Sequence, residues 1–220
     1  KTRVIKKTPY HVDLEGLANH KGSAFGRDVN DYQPTPINWE NQLSIDCLKY
    51  RHQYPESGLL LEDEGKMIGR LILPFEFHQK MILAPRIFLQ RDLPDRVRII
   101  REDYISTSWP LYQQQYGDQA ESIFSSFVLD NLIRIKKRLG GERMQRIHAS
   151  FSKALTHLFE TGESDLFDDG ISQLLLDYYD PMYDYQLKKK PVDVIFRGTE
   201  AEILQWSEDN LKCYDVAKFN

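Results

Sequence analysis

At 220 residues, with 41% hydrophobic and 28% charged residues, the chain is long enough to bury a sizeable core, and its composition excludes wholesale disorder and fibrous repeats. The formal charge of -4, from 29 Lys plus Arg against 33 Asp plus Glu, excludes a protein that grips nucleic acid by bulk charge; any RNA contact must use local basic patches. No apolar run approaches the roughly 20 residues that cross a bilayer and the opening residues lack a signal-peptide core, so a cytoplasmic location is the expectation.

The chain opens Lys1-Thr2-Arg3-Val4-Ile5, without a methionine or a turn signal, and reads as the remainder of something longer. Thr8 to Asn30 carries Pro9, Gly16, Gly22 and Gly26 among few periodic apolar positions, which predicts a short strand over Tyr10 to Leu14 running into a loop. From Asn38 to Arg51, Trp39, Leu43, Cys47 and Leu48 recur at helical spacing, with Asn38 placed as N-cap after Pro36. Leu59-Leu60-Leu61 followed by Glu62-Asp63-Glu64 predicts a buried central strand of a parallel sheet that ends in acid, the end at which open α/β sheets bind ligands. Pro74 to Ala84 reads as a short helix, Arg86 to Leu89 as a strand, and Pro94 to Ile105 as a helix with Val97, Ile100 and Tyr104 on one face. This alternation predicts a parallel α/β domain over residues 1–108.

After Trp109-Pro110 the texture turns helical. A hairpin is expected from helices over 119–139 and 142–160, stopped by Gly140-Gly141 and Gly162, then a third helix over 171–179 broken at Asp180-Pro181. Residues 109–190 thus form a helical subdomain. The tail, 191–220, returns to the sheet through a strand over Val192 to Phe196, a turn at Arg197-Gly198, and a helix opened by Thr199 with Glu202 at capping-box spacing.

Asp13-Leu14-Glu15-Gly16-Leu17-Ala18-Asn19-His20-Lys21-Gly22-Ser23-Ala24-Phe25-Gly26 is the segment richest in chemistry-bearing residues. Its glycines let backbone N–H groups wrap an anion, and Lys21 and Ser23 add donors; a structural turn with charged decoration is the plain alternative. Among the acids of 62–64, strand alternation turns Glu62 and Glu64 to one face and Asp63 to the other, for a metal-holding or base role, or for simple ion pairs with Lys66 or Arg70. Two basic clusters, Lys136-Lys137-Arg138 with Arg143 and Arg146, and Lys188-Lys189-Lys190, bracket Tyr178-Tyr179-Asp180-Pro181-Met182-Tyr183-Asp184-Tyr185, whose rings can stack on unpaired bases or belong to a core. The six histidines form no H-E-x-x-H pair, and Cys47 and Cys213 stand in no metal-ligand spacing and read as reduced thiols.

Taken together, Val12 to Gly26, Leu61-Glu62-Asp63-Glu64 leading to Ile68-Gly69, Glu102-Asp103-Tyr104, Ile135-Lys136-Lys137-Arg138-Leu139-Gly140, Tyr178 to Tyr183, and Phe196-Arg197-Gly198 resemble, in this order, the bacterial tRNA 2-selenouridine synthases. The resemblance covers nearly the whole chain. It implies a P-loop-like parallel sheet with a helical insertion, in which Lys1-Thr2 match the end of a Walker-type loop whose glycine-rich body precedes Lys1, and a rhodanese-like domain with a selenium-delivering cysteine to which neither Cys47 nor Cys213 corresponds. It implies geranyl diphosphate and selenophosphate as co-substrates, with Mg²⁺ as a candidate ion, and tRNA as the partner, held by its anticodon arm and modified at the wobble uridine.

On that resemblance Lys1, Glu62 and Asp63 are the candidate catalytic residues, and Lys1, Thr2, Lys21, Gly22, Ser23 and Gly26 the diphosphate ligands. Asp13, Glu15, His20, Phe25 and Arg70 are expected to shape the substrate pocket, with Thr2, Glu62 and Asp63 around a metal. Lys136, Lys137, Arg138, Arg143, Tyr179, Tyr183, Lys188 and Lys189 are the expected tRNA contacts. A P-loop small-molecule or nucleoside kinase and a non-catalytic RNA-binding module are the competing readings.

Overall fold

The computed structural model describes residues 1–22, 32–189 and 194–214. They divide into two units, one of Lys1–Gln90 with Lys190–Asn220 and one of Arg91–Lys189. The first unit opens with a single helical turn, α1 (Thr2–Ile5), whose Val4 and Ile5 are buried. Residues 10–12 then run extended, but only His11 pairs, in a parallel bridge to Leu60; Leu60 N–H donates to Tyr10 O at 2.8 Å and Val12 N–H to Leu60 O at 3.4 Å. The predicted strand stops short of Leu14 because the Asp13 side chain accepts from Gly16 N–H at 2.7 Å, capping α2 (Leu14–Leu17).

Thr35, not Asn38, caps α3 (Pro36–Gln53): its hydroxyl accepts from Asn38 N–H at 3.3 Å and Pro36 occupies the first turn, where no donor is missed. Trp39, Leu43 and Tyr50 form the buried face of α3, while Leu48 lies 70% exposed, about 100° around the helix from Cys47. The leucines 59–61 are half-buried, and among the described residues the expected central strand is a single bridge, Leu60 to His11. A two-residue hairpin, β1 (Met67–Ile68) and β2 (Leu71–Ile72), turns at Gly69 with φ +60, which a side chain would strain. Ile68, Leu71 and Leu73 bury against Val12, Leu14, Trp39 and Leu43 to make this unit's core. Then come α4 (Phe75–Leu83) and β3 (Arg86–Leu89), both where the sequence placed them.

The helical unit starts at Arg91, earlier than the predicted residue 109, because α5 (Leu93–Arg101), capped by Asp92 and continued by a π turn over Glu102–Ser106, packs on α9 (Phe167–Leu174) of the same unit. α6 (Ser108–Tyr116), α7 (Ala120–Leu139) and α8 (Gly141–Thr161) follow; Gly140 at φ +92 and Gly162 at φ +79 supply the reversals between them and after them. Trp109, Tyr112, Phe124, Ile147, Phe151 and Phe167 anchor the core. The third helix does not break at Asp180-Pro181. α9 runs through a π turn, Leu175–Tyr179, into α10 (Asp180–Lys189), and Pro181 falls in the turn straight after that irregularity, where the missing donor is tolerated.

The tail belongs to the first unit. β4 (Val194–Gly198) pairs parallel to β3, and Arg197 and Gly198, read as a turn, are its last two rungs, opposite Phe88 and Leu89. α11 (Glu200–Leu211) begins with the predicted capping box, Thr199 with Glu202. The architecture is therefore a mostly helical α/β one with a small parallel sheet. Among the described residues no helix is long and apolar enough to cross a membrane.

Candidate functional site

The parallel bridge between His11 and Leu60 places two chain segments side by side, and both deliver acids at the same end: Asp13 and Glu15 on one, Glu62 and Glu64 on the other. Alternation holds along the second segment. Glu62 is 1% and Glu64 9% exposed, whereas Asp63 points away, half-exposed, with its carboxylate 3.4 Å from Arg86 Nε. Glu62 Oε2 accepts from Leu14 N–H at 3.1 Å, which ties the strand end to the start of α2, and its Oε1 is buried without a protein hydrogen-bond partner among the described residues.

The start of the chain meets these acids. Lys1 Nζ donates to Glu64 Oε1 at 2.5 Å and lies 4.0 Å from Glu15 Oε1. Thr2 Oγ1 donates to Glu15 Oε2 at 2.7 Å, and Gly22 N–H to Glu15 Oε1 at 2.9 Å. Lys6 Nζ pairs with Asp13 Oδ2 at 2.6 Å. Gly22 lies close against Glu64: a Cβ there would sit 2.2 Å from Glu64 Oε2, so a larger residue would displace that carboxylate.

The electrostatics follow from burial and from the count of charges. Two ammonium groups, Lys1 and Lys6, face four carboxyls. Burial, followed by the charges of Asp13 and Glu15, pushes Glu62 up to about 7. Burial also raises Glu64, against the pull of Lys1. Burial works to raise Glu15 and Asp13 as well, but both end below their ordinary values: Thr2, Lys1 and Gly22 outweigh it at Glu15, and Lys6 with the Gly16 N–H outweighs it at Asp13. Near neutral pH the site therefore combines firmly ionised carboxylates with one acid able to hold or release a proton.

The structure thus brings together Lys1, Thr2, Asp13, Glu15, Gly22 and Glu62 of the predicted set. Asp63 is excluded by this alternation, so Thr2, Glu62 and Asp63 do not converge around one point. Arg70 is held elsewhere, its N–H and guanidinium donating to Gln33 at 2.8 and 2.6 Å. His20 is half-buried, its backbone N–H donating to Glu15 O, and Lys21 is exposed. Ser23, Phe25 and Gly26 lie outside the described residues. Glu64 and Lys6 were not among the predicted site residues; the alternation that pairs Glu64 with Glu62 was a signal for the first, and nothing local marks the second. Among the described residues the His and acid side chains close enough to share a cation are His157, Glu163 and Asp165 of the helical unit, not these acids. An open cleft of about 600 Å³ adjoins the site, sharing Asp13 and Gly16 and walled by His11, Leu17, Tyr50 and Tyr54.

In the helical unit, Lys136, Lys137 and Arg138 are exposed on the last turn of α7. Arg143 lies 4.0 Å from Asp177, which also takes Arg146 at 2.9 Å. Tyr179 and Tyr183 stack with centroids 6.4 Å apart; burial raises the Tyr179 hydroxyl, while Tyr183 is 45% exposed. Lys188 and Lys189 are exposed at the end of α10, with Lys189 Nζ 4.5 Å from the Tyr185 ring centre.

Residues 1–214 match the family model described as the tRNA 2-selenouridine synthase AAA domain. The tRNA 2-selenouridine synthase of Marinobacter nauticus is 41% identical over 208 residues, 94% of this chain and 56% of that protein. That of Alcanivorax borkumensis is 41% identical over 204 residues, 92% of this chain and 56% of its own length, and that of Shewanella denitrificans 40% identical over 210 residues. The chain spans little more than half the length of these curated relatives, and no solved structure matches it. The chain belongs to the tRNA 2-selenouridine synthase AAA-domain family.

Proposed function

We propose that this chain is the diphosphate- and tRNA-binding part of a cytoplasmic transferase that replaces sulfur by selenium at the wobble 2-thiouridine of tRNA. In the first step the uridine sulfur attacks C1 of geranyl diphosphate, a C–S bond forms, the C1–O bond breaks and diphosphate leaves. In the second, the selenium of selenophosphate attacks C2, the C2–S bond breaks and geranylthiol leaves, and water then cleaves the P–Se bond, which leaves selenium on the uridine and releases phosphate. The first step needs negative charge stabilised on a departing diphosphate, and that is what an ammonium group, a hydroxyl and a backbone N–H converging at the end of parallel segments do. Lys1, Thr2 and Gly22 supply those three donors, as expected of the tail of a P-loop and the loop that faces it.

The observation that carries this reading is the meeting of Lys1 and Thr2 with Glu15, Gly22 and Glu64, residues far apart in sequence and of unlike charge. Glu62, buried and poised near neutrality, takes the proton-holding role first shared with Asp63, which faces the wrong side. The cleft beside Asp13 mixes Val12, Leu17, Tyr50 and Tyr54 with Asp46, Lys49 and Gln53, and the apolar part of that wall is the candidate seat of the isoprenoid tail. On the helical unit, the exposed Lys136-Lys137-Arg138 turn and the Tyr179–Tyr183 stack hold phosphates and an unpaired base of the anticodon arm.

The test is incubation of the complete protein with geranyl diphosphate and thiolated tRNA. A geranyl mass gain on the uridine, lost in Lys1→Ala, supports the reading. Phosphoryl transfer to a small molecule with no change in the tRNA would replace it by the kinase reading.

A further inference from the structure

The donors assigned above to the diphosphate are already satisfied by the protein itself. Glu15 Oε2 accepts from Thr2 Oγ1 at 2.7 Å, Glu15 Oε1 accepts from Gly22 N–H at 2.9 Å, and Lys1 Nζ stands 4.0 Å from the same Oε1. Hydroxyl and amide come from two stretches of chain some twenty residues apart and bond the two oxygens of one carboxylate, a planar anion with charge shared over oxygens, as on a phosphate face, while the ammonium hydrogen-bonds Glu64 and faces Glu15 across 4.0 Å. The side chain of Glu15 is 13% exposed, so water does little to weaken these contacts. Glu64 closes the other side of Lys1 and lies against Gly22, where a Cβ would push its carboxylate aside.

We propose that Glu15 is an internal anion that occupies the diphosphate cradle and must swing out before a phosphate group enters, so that this one carboxylate sets the anion affinity of the site. The inference rests on the reading of Lys1, Thr2 and Gly22 as diphosphate donors. An entering diphosphate exchanges one carboxylate for its own oxygens on the same donors; the net gain is the difference between the two sets of contacts, not the whole of the second set. Glu15 is here a positioning residue: it holds Thr2 and Gly22 in place while the site is empty, and it raises the threshold for weakly charged anions.

The experiment is calorimetric titration of inorganic pyrophosphate into the full chain as wild type, Glu15→Gln, Glu15→Asp and Lys1→Ala. Glu15→Gln keeps the shape but removes the competing charge, and pyrophosphate binds about tenfold tighter, the size of one charge-assisted contact no longer opposed. Glu15→Asp, one methylene shorter, cannot span Thr2 and Gly22 together and tightens binding too, which keeps the test decisive if the glutamine variant does not fold. A merely structural role for Glu15 cannot produce a gain in affinity. If wild type binds, Lys1→Ala abolishes binding, and neither folded Glu15 variant binds more tightly, the internal-anion inference is wrong and the diphosphate reading stands. If wild type and the Glu15 variants all fail to bind pyrophosphate, the diphosphate reading falls, and the inference with it.

Discussion

The two units handle charge in opposite ways. In the first, among the described residues, four carboxyls and two ammonium groups are drawn into a partly buried network, so the protonation of each carboxyl depends on its neighbours. In the helical unit, Lys136, Lys137, Arg138, Lys188 and Lys189 stay in solvent at helix ends, and the aromatic stack beside them is half open. Buried opposed charges suit bond-breaking, because a low dielectric magnifies small displacements of charge; exposed like charges suit holding a polyanion whose counterions are released on contact. The comparison teaches that the mildly acidic net charge of the chain says nothing of local surfaces: basic side chains cluster at helix ends in the helical unit, and acids cluster with two lysines in the first.

That division can be broken most sharply at Lys1. Lys1→Ala is expected to lower geranyl transfer by about two to three orders of magnitude, the scale for loss of one donor to developing charge, while tRNA affinity is unchanged. An equal loss in tRNA affinity, measured by filter binding, would erase the distinction between the units.

Glu62→Gln tests the buried side by a different quantity. The folded value of Glu62, about 7, lies above the ordinary 4.5, so the folded chain holds an extra proton between these limits. Its contribution to stability is whole below about 4.5 and is lost as pH rises through 7. Glutamine keeps an oxygen for Leu14 N–H and removes the titration, so the variant is expected to gain about 1–3 kcal/mol at pH 8 relative to wild type and to flatten the pH dependence between 4.5 and 7. Asp13 and Glu15, held below their ordinary values, act in the contrary sense: their contribution is present above those values and fades as pH falls further. Denaturant midpoints from pH 8 down to about pH 2 measure both.

On the open side, exchanging Lys136, Lys137 and Arg138 together for alanine is expected to reduce the slope of log affinity for tRNA against log salt by up to about 2–3. Stability should change little. Tyr183→Ala is expected to cost about 1–2 kcal/mol of tRNA affinity through lost stacking and to leave the salt slope where it was. A change of slope in Tyr183→Ala, or none in the triple variant, would mean that the cluster and the ring do not play the separate parts assigned to them.

Much of the fold was legible where the deciding forces are local. Gly140 and Gly162 stop helices because the backbone there takes positive φ, and Thr199 with Glu202 starts one because two orphan N–H groups find two side chains three residues apart. The boundary errors have the same locality. Thr35 outcompeted Asn38 by sitting one residue before Pro36, and Asp13 bent a would-be strand into a helical turn. The helical unit's early start at Arg91 was not legible, because only packing of α5 on α9 assigns it there.

For the site, the sequence by itself determined which residue types were present; Glu62 and Glu64 do bury together with Asp63 outside, as alternation suggests, although residues 62–64 form no strand and Glu64 N–H donates to Glu62 O at 2.8 Å across a tight turn. Only the tertiary structure decided which charges meet: Lys1 with Glu64 across 63 positions, Glu15 with Thr2 and Gly22, Arg70 with Gln33 instead of an acid. The physical reason is range. Helix, strand and cap rules act over a few residues, whereas ion pairing and proton affinity depend on who is desolvated beside whom, and the chain sets that only once its core has closed.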